Sequence, residues 1–446
     1  MQNYLESVRE QYERYPYPLR NPEDERQRLL TTWNDHLAQI NHYCFGGRQS
    51  FCGGFQVLVA GGGTGDNVIF LAEQLRDTGA HIVHLDLSAA SLAVAKERAR
   101  IRGLTNIEFI QDSLLNLPKL EIGPFDFINC CGVLHHLAAP EQGLDALLSK
   151  LKPSGAMNLM VYAQYGRTAV YQLQELGRLL TRNDTDPAQQ VKRMRDLIAS
   201  LPKSNWWKRS EDLMPSSLAS DVDLFDTFLH SQDRAYTVPE LYAWMVDGAG
   251  LHMQLSDVGF GQSSYVPERQ LRNQTRSLKE SVAALPPRER QALAELASGR
   301  ILTHSFYATR AADAAARPGD LDNVPFMFLD PVTGAELAPH FDRRPGERVQ
   351  IDHAHTGVTL EFIAGRYNKY LMRHLDGKRT LREIFEKVKN EPELRREPPA
   401  ESELAAEFAA IFGQFNEIER MLLRHCSLPA FANADALQAG AKAHFA

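Results

Sequence analysis

The chain has 446 residues, enough for two or three folded units. Apolar residues make up 43% and charged residues 24%, the mix of a globular protein rather than a disordered one. With 49 basic against 56 acidic side chains the net charge is −7, which argues against a nucleic-acid partner, and no apolar run reaches the about 18 residues of a membrane span.

The first 50 residues read as a helical cap or lid ahead of a sheet. Within them Tyr12-Glu13-Arg14-Tyr15-Pro16-Tyr17-Pro18 places three tyrosines and two prolines in seven residues. Proline fixes φ and removes a donor, so this segment is expected as a rigid extended turn. It serves either as a lid over a ligand or as a surface turn whose rings pack on the core. The N-terminus lacks the apolar core of a signal peptide, and the five cysteines form no C-x-x-C pair. Reduced thiols in a cytoplasmic protein follow, and no metal site is expected.

Residues 51–310 read as a doubly wound α/β domain of seven strands. Val57 to Ala60 is a short apolar strand that runs into Gly61, Gly63 and Gly65, and a helix pattern (Val68, Ile69, Leu71, Ala72, Leu75) follows at once. A strand, a glycine turn and a helix N-terminus bring free backbone N–H groups to a ligand. A second strand, His81 to Leu85, ends at Asp86, 25 residues beyond Gly61. In such folds a carboxylate there accepts from ribose hydroxyls. Ser88 caps an amphipathic helix that stops at Gly103. A third strand (107–110) delivers Asp112 and Ser113. A fourth (125–130) ends in Cys131-Gly132-Val133-Leu134-His135-His136. Leu151-Lys152-Pro153-Ser154-Gly155 turns into a fifth, 156–162. Asp86 and Asp112 also suit plain strand-end caps. A nicotinamide dinucleotide is the rival ligand, but its G-x-G-x-x-G fingerprint needs a glycine or alanine where Asp66 stands.

In order and spacing, VLVAGGGTG, HLDLS, FIQDSLLNLP, FDFINCCGVLHHL and LKPSGAMNLMVY resemble the class I S-adenosylmethionine-dependent methyltransferases. The resemblance covers 55–162 and extends to about 310. It implies S-adenosylmethionine as cofactor, with Gly61, Gly63 and Gly65 under its methionine part. Asp86 would hold the ribose and Leu87 would lie against the adenine. Asp112 and Ser113 would take the adenine edge, and Asn129 and Cys130 would lie near the sulfonium. Relatives often carry an acidic residue at the position of Val59 to hold the cofactor's ammonium; here another group, from the N-terminal segment, must do so. The Tyr-Pro-Tyr-Pro segment resembles the arms of some bacterial methyltransferases that close over the cofactor.

Residues 163–236 are too long for a connection and read as a helical insertion beside the cofactor-bearing strand ends. His230, Asp233, Arg234 and Tyr236 form its most polar part. Thr237-Val238-Pro239-Glu240 starts a helix that runs to Gly250. Strands at 252–258 and 303–309, with a helical excursion at 277–298 between them, complete the sheet. Ala311 to Asn323 reads as a linker.

Residues 324–446 read as a separate small α+β module: a strand at 358–363, helices at 367–375 and 381–388, and a third helix from Ser402 to His425. With Arg373-His374-Leu375-Asp376-Gly377-Lys378-Arg379-Thr380-Leu381 the module resembles the winged-helix domains of the PqqD type, which implies peptide docking along a strand edge. Dimerisation or plain stabilisation of the first domain are the other uses, and an oligomer stays open. Asp352-His353-Ala354-His355 could put two imidazoles on one face, but lacks a third ligand and reads as a polar loop.

The donor implied by the resemblance is already activated, so the protein must align an acceptor and remove at most one proton. His135 and His136 are the expected bases, titrating near neutrality; Tyr17, His230 and Tyr162 are the alternatives. The Asn-Pro-Pro-Tyr motif of amide- and base-methylating relatives is replaced by Asn129-Cys130-Cys131-Gly132. Three functions remain. The first is methylation of a protein or peptide side chain recruited by the C-terminal module. The second is methylation of a small-molecule acceptor. The third is a non-catalytic cofactor-binding assembly or regulatory protein, mildly favoured by Val59.

Overall fold

The computed structural model describes residues 6–329, 332–353 and 356–432. The ends of the expected cap (1–5) and of the expected module (433–446) therefore lie outside the described residues, as do 354 and 355 of the Asp-His-Ala-His stretch.

One mixed sheet organises the first 310 residues. Its strands are β1 (Gln56–Ala60), β2 (His81–Asp86), β3 (Ile107–Gln111), β4 (Phe125–Cys131), β5 (Leu151–Ala163), β6 (Ala235–Tyr236), β7 (His252–Ser256) and β8 (Thr303–Thr309). The order is β3-β2-β1-β4-β5-β8-β7, with β8 antiparallel to both neighbours. Seven of these are the expected strands. β6 is an eighth, two residues that pair with the end of β5 and carry the chain out of the insertion. The central strands read as unbroken apolar runs because both faces are covered, and Val57, Leu58, Val59 and Ala60 have no exposed surface. The carboxyl ends of β1, β2 and β4 open onto a common crevice, which fixes where a ligand can sit.

Several local expectations are corrected. The Leu151–Gly155 turn is part of β5: Leu151 already pairs with Phe125, and an irregularity before Phe127 absorbs the proline. Tyr12, Glu13 and Arg14 are helical, in α1 (Glu6–Arg14). Only the residue before a proline is pushed out of the helical region, so Pro16 ends the helix at its doorstep and no earlier. The excursion at 277–298 is two helices, Arg276–Ala283 and Pro287–Ser298, broken at the paired prolines. The helix expected from Ser402 to His425 runs only from Glu401 to Glu417, flanked by Ala400, and Met421–His425 is a strand.

The insertion is helical, as expected: Thr168–Thr181 and Pro187–Ser200, then Trp206–Ser210 and Asp221–Phe228. They share a core of their own built from Leu173, Met194, Trp207, Leu224 and Phe228. Beyond the sheet, β9 (Asn323–Met327) pairs antiparallel with β12 (Met421–His425), and β10 (Arg348–His353) with β11 (Val358–Ile363). Helices Asn368–His374, Leu381–Lys389 and Glu401–Glu417 pack with both pairs around Leu360, Phe385, Phe408 and Ile411.

This C-terminal part is fastened to the rest. Leu422 and Phe328 are buried in one cluster with Ile40 and Phe51 of the N-terminal segment. The Leu423 amide donates to His42 Nδ1 at 3.0 Å, and Gln39 Nε2 donates to Glu419 Oε2 at 2.7 Å. Residues 311–323 are held as well, the Ala316 amide donating to the His42 carbonyl at 2.7 Å.

Candidate active site

The glycine turn after β1 is where the cavity starts. Gly63 has φ +54°, and a Cβ there would drive into the Tyr17 carbonyl oxygen. Gly65, at φ +104°, flanks the helix Asp66–Gln74 and faces Ala95. Only glycine fits both the left-handed backbone and the close approach. The Gly63 amide donates to Asp86 Oδ2 at 2.8 Å, and the Ser88 amide donates to Oδ1 at 2.9 Å. Burial raises the Asp86 carboxyl above its ordinary range, against the pull of these amides. The Asp112 amide donates to the Asp86 carbonyl at 3.1 Å, so the ends of β2 and β3 are joined.

The N-terminal arm closes over this turn. The Thr64 amide donates to the Tyr17 carbonyl at 3.2 Å, and Thr64 Oγ1 donates to the Pro18 carbonyl at 2.7 Å. Glu13 caps the helix Ala89–Arg102 by accepting from the amides of Ala89 and Ala90 at 2.8 and 3.1 Å. Under the arm lies a buried ionic cluster. Arg98 donates to Glu25 Oε1 and Asp66 Oδ1, each at 2.7 Å, while Arg102 reaches Glu25 and Glu73.

The resulting cavity is about 860 Å³, within the range of ligand pockets. At one end its lining includes Gly61, Gly63, Asp86, Leu87, Asp112 and Ser113; at the other, Tyr12, Tyr17, His136, Tyr162, Arg167 and Asp226. Most of the expected site residues thus share one space, but five do not line it. Gly65 is behind the turn. Cys130 alternates into the core, leaving Cys131 and Gly132 on the cavity side. Asn129 donates to Asp35 Oδ1 at 2.6 Å. His135 is buried beneath Tyr162, ring centres 3.9 Å apart, and His230 lies behind His136, 3.9 Å away and stacked.

The expectation that the histidines titrate near neutrality is corrected. Burial pushes His136 down to about 4 and holds His135 and His230 below the ordinary range, so all three are neutral at pH 7. Their hydrogen bonds assign the tautomers. His136 Nδ1 lies 2.8 Å from the Gln232 carbonyl, so it carries the proton. His230 Nδ1 accepts from the Gln232 amide at 3.0 Å, which leaves the proton on Nε2. That Nε2 is 3.2 Å from the Tyr12 hydroxyl, which itself donates to Asp226 Oδ1 at 3.2 Å. Burial pushes the Asp226 carboxyl up to about 7. A relay His230–Tyr12–Asp226 therefore ends in a carboxyl poised to exchange a proton near neutrality.

Sequence reasoning missed Asp226, Arg167 and Asp35. Asp223 and Asp226, three apart on one helix, both line the cavity, and that spacing was the available signal. Asp35 accepts from Thr32, Asn67, Asn129 and Asn158, at 2.6 to 3.0 Å, and so pins the N-terminal segment to β4 and β5. Beside it Thr31, Thr32 and Trp33 reach the cavity, whereas Val59 is sealed in the core. Among the described residues no three histidine, cysteine or acidic side chains converge as a metal site, and no helix is long and apolar enough to cross a membrane.

Residues 58–157 match the family described as Methyltransferase domain. Over 304 residues, 67% of this chain and 70% of the relative, the sequence is 33% identical to an uncharacterized protein of Synechococcus sp.. It is 35% identical over 112 residues to the tRNA 5-carboxymethoxyuridine methyltransferase of Escherichia coli, covering 25% of this chain and 41% of that enzyme. The fold resembles PKMT2 from Rickettsia typhi, solved in complex with AdoHcy. The TM-score is 0.58 at 14% identity, over 88% of this chain and 76% of that one. S-adenosylmethionine fits the cavity: a glycine turn bare of side chains lines it, a buried carboxylate stands one strand away, and the volume continues beyond them.

Proposed function

Because the chain belongs to the class I S-adenosylmethionine-dependent methyltransferases, we propose that it methylates a protein or peptide side chain in the cytoplasm of a bacterium, recruited by its C-terminal module. The observation that carries this reading is the free edge of β10. The β10–β11 pair is a two-stranded sheet in which β11 is the engaged strand: Arg269 donates to the Thr359 carbonyl at 2.6 Å, and Gln414 accepts from the Glu361 amide at 3.3 Å. The outer edge of β10 takes no strand partner among the described residues. An exposed sheet edge can take an extended peptide as an added strand, its main-chain N–H and C=O groups supplying the hydrogen bonds.

Within the cavity, we assign the roles as follows. Gly61 and Gly63 let the backbone pass under the methionine part of the cofactor, and Asp86 takes the ribose. Leu87, Asp112 and Ser113 flank the adenine. Thr31 to Trp33 stand where Val59 offers nothing to the ammonium. When bound, S-adenosylmethionine supplies a methyl group on a sulfonium, ready for in-line displacement. The chain's own residues do the rest. Tyr17 and Tyr162 wall the approach and His136 presents its bare Nε2. Asp226, which itself lines the cavity and is oriented by Tyr12 with His230 behind it, holds or accepts the acceptor's proton. Orientation of this kind is where most of the rate comes from, since the donor needs no further activation.

The test uses the full chain with radiolabelled S-adenosylmethionine and fractionated bacterial extract. Label in protein supports the reading. Label in metabolites assigns a small-molecule acceptor, label in RNA assigns a nucleic-acid one, and binding without label anywhere leaves a non-catalytic protein.

A further inference from the structure

We propose that the acceptor carries a carboxylate and that Arg167 is its seat, an inference that rests on the acceptor half of the cavity assigned above. Arg167 stands just beyond β5, where the chain turns into the helix Thr168–Thr181. It lines the cavity, yet only 3% of its surface is exposed. The guanidinium lies over the Tyr162 ring, 3.5 Å from its centre, which fixes the plane of the fork. Its Nε and Nη2 have no acceptor.

A buried charged donor left without an acceptor costs more than the about 1–3 kcal/mol of a neutral one, so the site is incomplete as the chain alone makes it. The nearby carboxylates do not complete it. Asp226 accepts from Tyr12, and Asp233 accepts from Gln174 at 2.9 Å. The Tyr171 hydroxyl lies beside the guanidinium on the next turn of the helix, is buried, forms no well-aligned hydrogen bond, and can turn its proton to the same anion. Two guanidinium N–H groups in a rigid plane match the two oxygens of a carboxylate.

Charge narrows the class of anion. Asp223 and Asp226 line the same cavity, while Asp66 there is paired with Arg20 and Arg98. A dianionic phosphate would meet repulsion from the first two, whereas a singly charged carboxylate is balanced by Arg167 alone. In a peptide substrate this carboxylate belongs to an acidic side chain or chain terminus beside the methylated residue. Arg167 then acts as a specificity determinant that sets the distance from anchor to methyl acceptor.

The full-length protein, saturated with S-adenosylhomocysteine, is titrated by calorimetry with butyrate, inorganic phosphate and n-butylamine. Wild type, Arg167→Gln and Arg167→Lys are compared. Butyrate is expected to bind wild type saturably, at least tenfold more weakly the Gln variant, and with intermediate strength the Lys variant, which keeps charge but not the fork. S-adenosylhomocysteine affinity is expected to stay within twofold in all three, which also reports that each is folded. The proposal is overturned if butyrate fails to bind, if it binds wild type and Arg167→Gln alike, or if phosphate or butylamine binds better. It is also overturned if S-adenosylhomocysteine affinity falls by the same factor as butyrate affinity, which would give Arg167 to the donor's own carboxylate. Absence of S-adenosylhomocysteine binding to wild type would sink the methyltransferase reading instead, and this proposal with it.

Discussion

The Tyr12 hydroxyl donates to Asp226 Oδ1 at 3.2 Å, joining the first helix of the chain to the last helix of the insertion across the cavity. Because burial holds the Asp226 carboxyl at about 7, against about 3.9 in an unfolded chain, the folded state binds this proton more tightly. Stability linked to Asp226 is therefore intact below about pH 4 and is lost progressively as pH rises to about 7. Asp226→Asn removes that dependence, and its melting temperature should gain on wild type between pH 4.5 and 7.5. Methyl transfer by wild type should rise through pH 7, and the Asn variant should lose that limb and about 100-fold or more in rate. An unchanged pH profile in the variant would remove Asp226 from the proton path.

Asp86 is bonded to the glycine turn as well as facing the cavity. Asp86→Asn keeps an acceptor for one of its two amides but turns the other oxygen into a donor that clashes with an N–H. S-adenosylhomocysteine affinity, read by calorimetry, should drop by about 10- to 100-fold. The melting temperature should fall too, since Gly63 or Ser88 loses its partner.

Gly63→Ala places a methyl group against the Tyr17 carbonyl in a left-handed conformation. The arm is the part able to yield, because it is a single strand of chain held by hydrogen bonds to Thr64 and Ser88. Limited proteolysis of this variant should open new cleavage between residues 14 and 20, with loss of S-adenosylhomocysteine binding. A variant as resistant as wild type would show that the arm does not rest on the turn.

Much of this site could be read from the chain alone, and the physical reason is locality. The turn from Gly61 to Gly65, Asp86 and Asp112 are each set by the strand immediately before them, so spacing in sequence is spacing in space. Arg167, Asp226 and Tyr12 meet only because an insertion, an N-terminal helix and β5 converge, and no short-range pattern encodes that. Cys130 is off by one pleat, since alternation along β4 hands the cavity to Cys131, and Asn129, on the same face as Cys131, is taken up by Asp35 instead. The C-terminal strand reads as helix in the chain alone because Met421–Leu423 is apolar in a run, a pattern that a buried strand and a helix share. Its partner β9 lies about a hundred residues earlier.

The ionic cluster under the arm makes a separate prediction. Glu25 is 3% exposed and bridges Arg98 and Arg102, which are 1% exposed each. Removing one member of a buried pair leaves uncompensated charge, and two guanidinium groups depend on this carboxylate. Glu25→Gln should lower stability to denaturant by about 3–5 kcal/mol with the slope unchanged, whereas surface Glu97→Gln, paired with Arg100 on the same helix, should leave the midpoint nearly where it is. Equal effects from the two would deny the cluster its role in holding the N-terminal segment to the sheet.

The last prediction concerns whether the C-terminal part folds as its own unit. All four tryptophans, Trp33, Trp206, Trp207 and Trp244, lie in the first 310 residues, and of these Trp33 packs under Arg420, so in a Trp33→Phe background intrinsic fluorescence reports that region alone. Leu422, on β12, is fully buried among Ile40, Phe51 and Phe328, and a buried leucine cut to alanine costs about 2–5 kcal/mol. If the two parts unfold independently, Leu422→Ala leaves the fluorescence transition in place. The shared core predicts the opposite: the midpoint seen by tryptophan should shift by the full cost, together with loss of helical circular dichroism. Hydrogen exchange in 401–417 and 66–74 should quicken in parallel. Binding at the β10 edge would then be coupled to the cavity through the N-terminal segment from Gln39 to Tyr43, because the hydrogen bonds that fasten Glu419, Asn416 and Leu423 all end there.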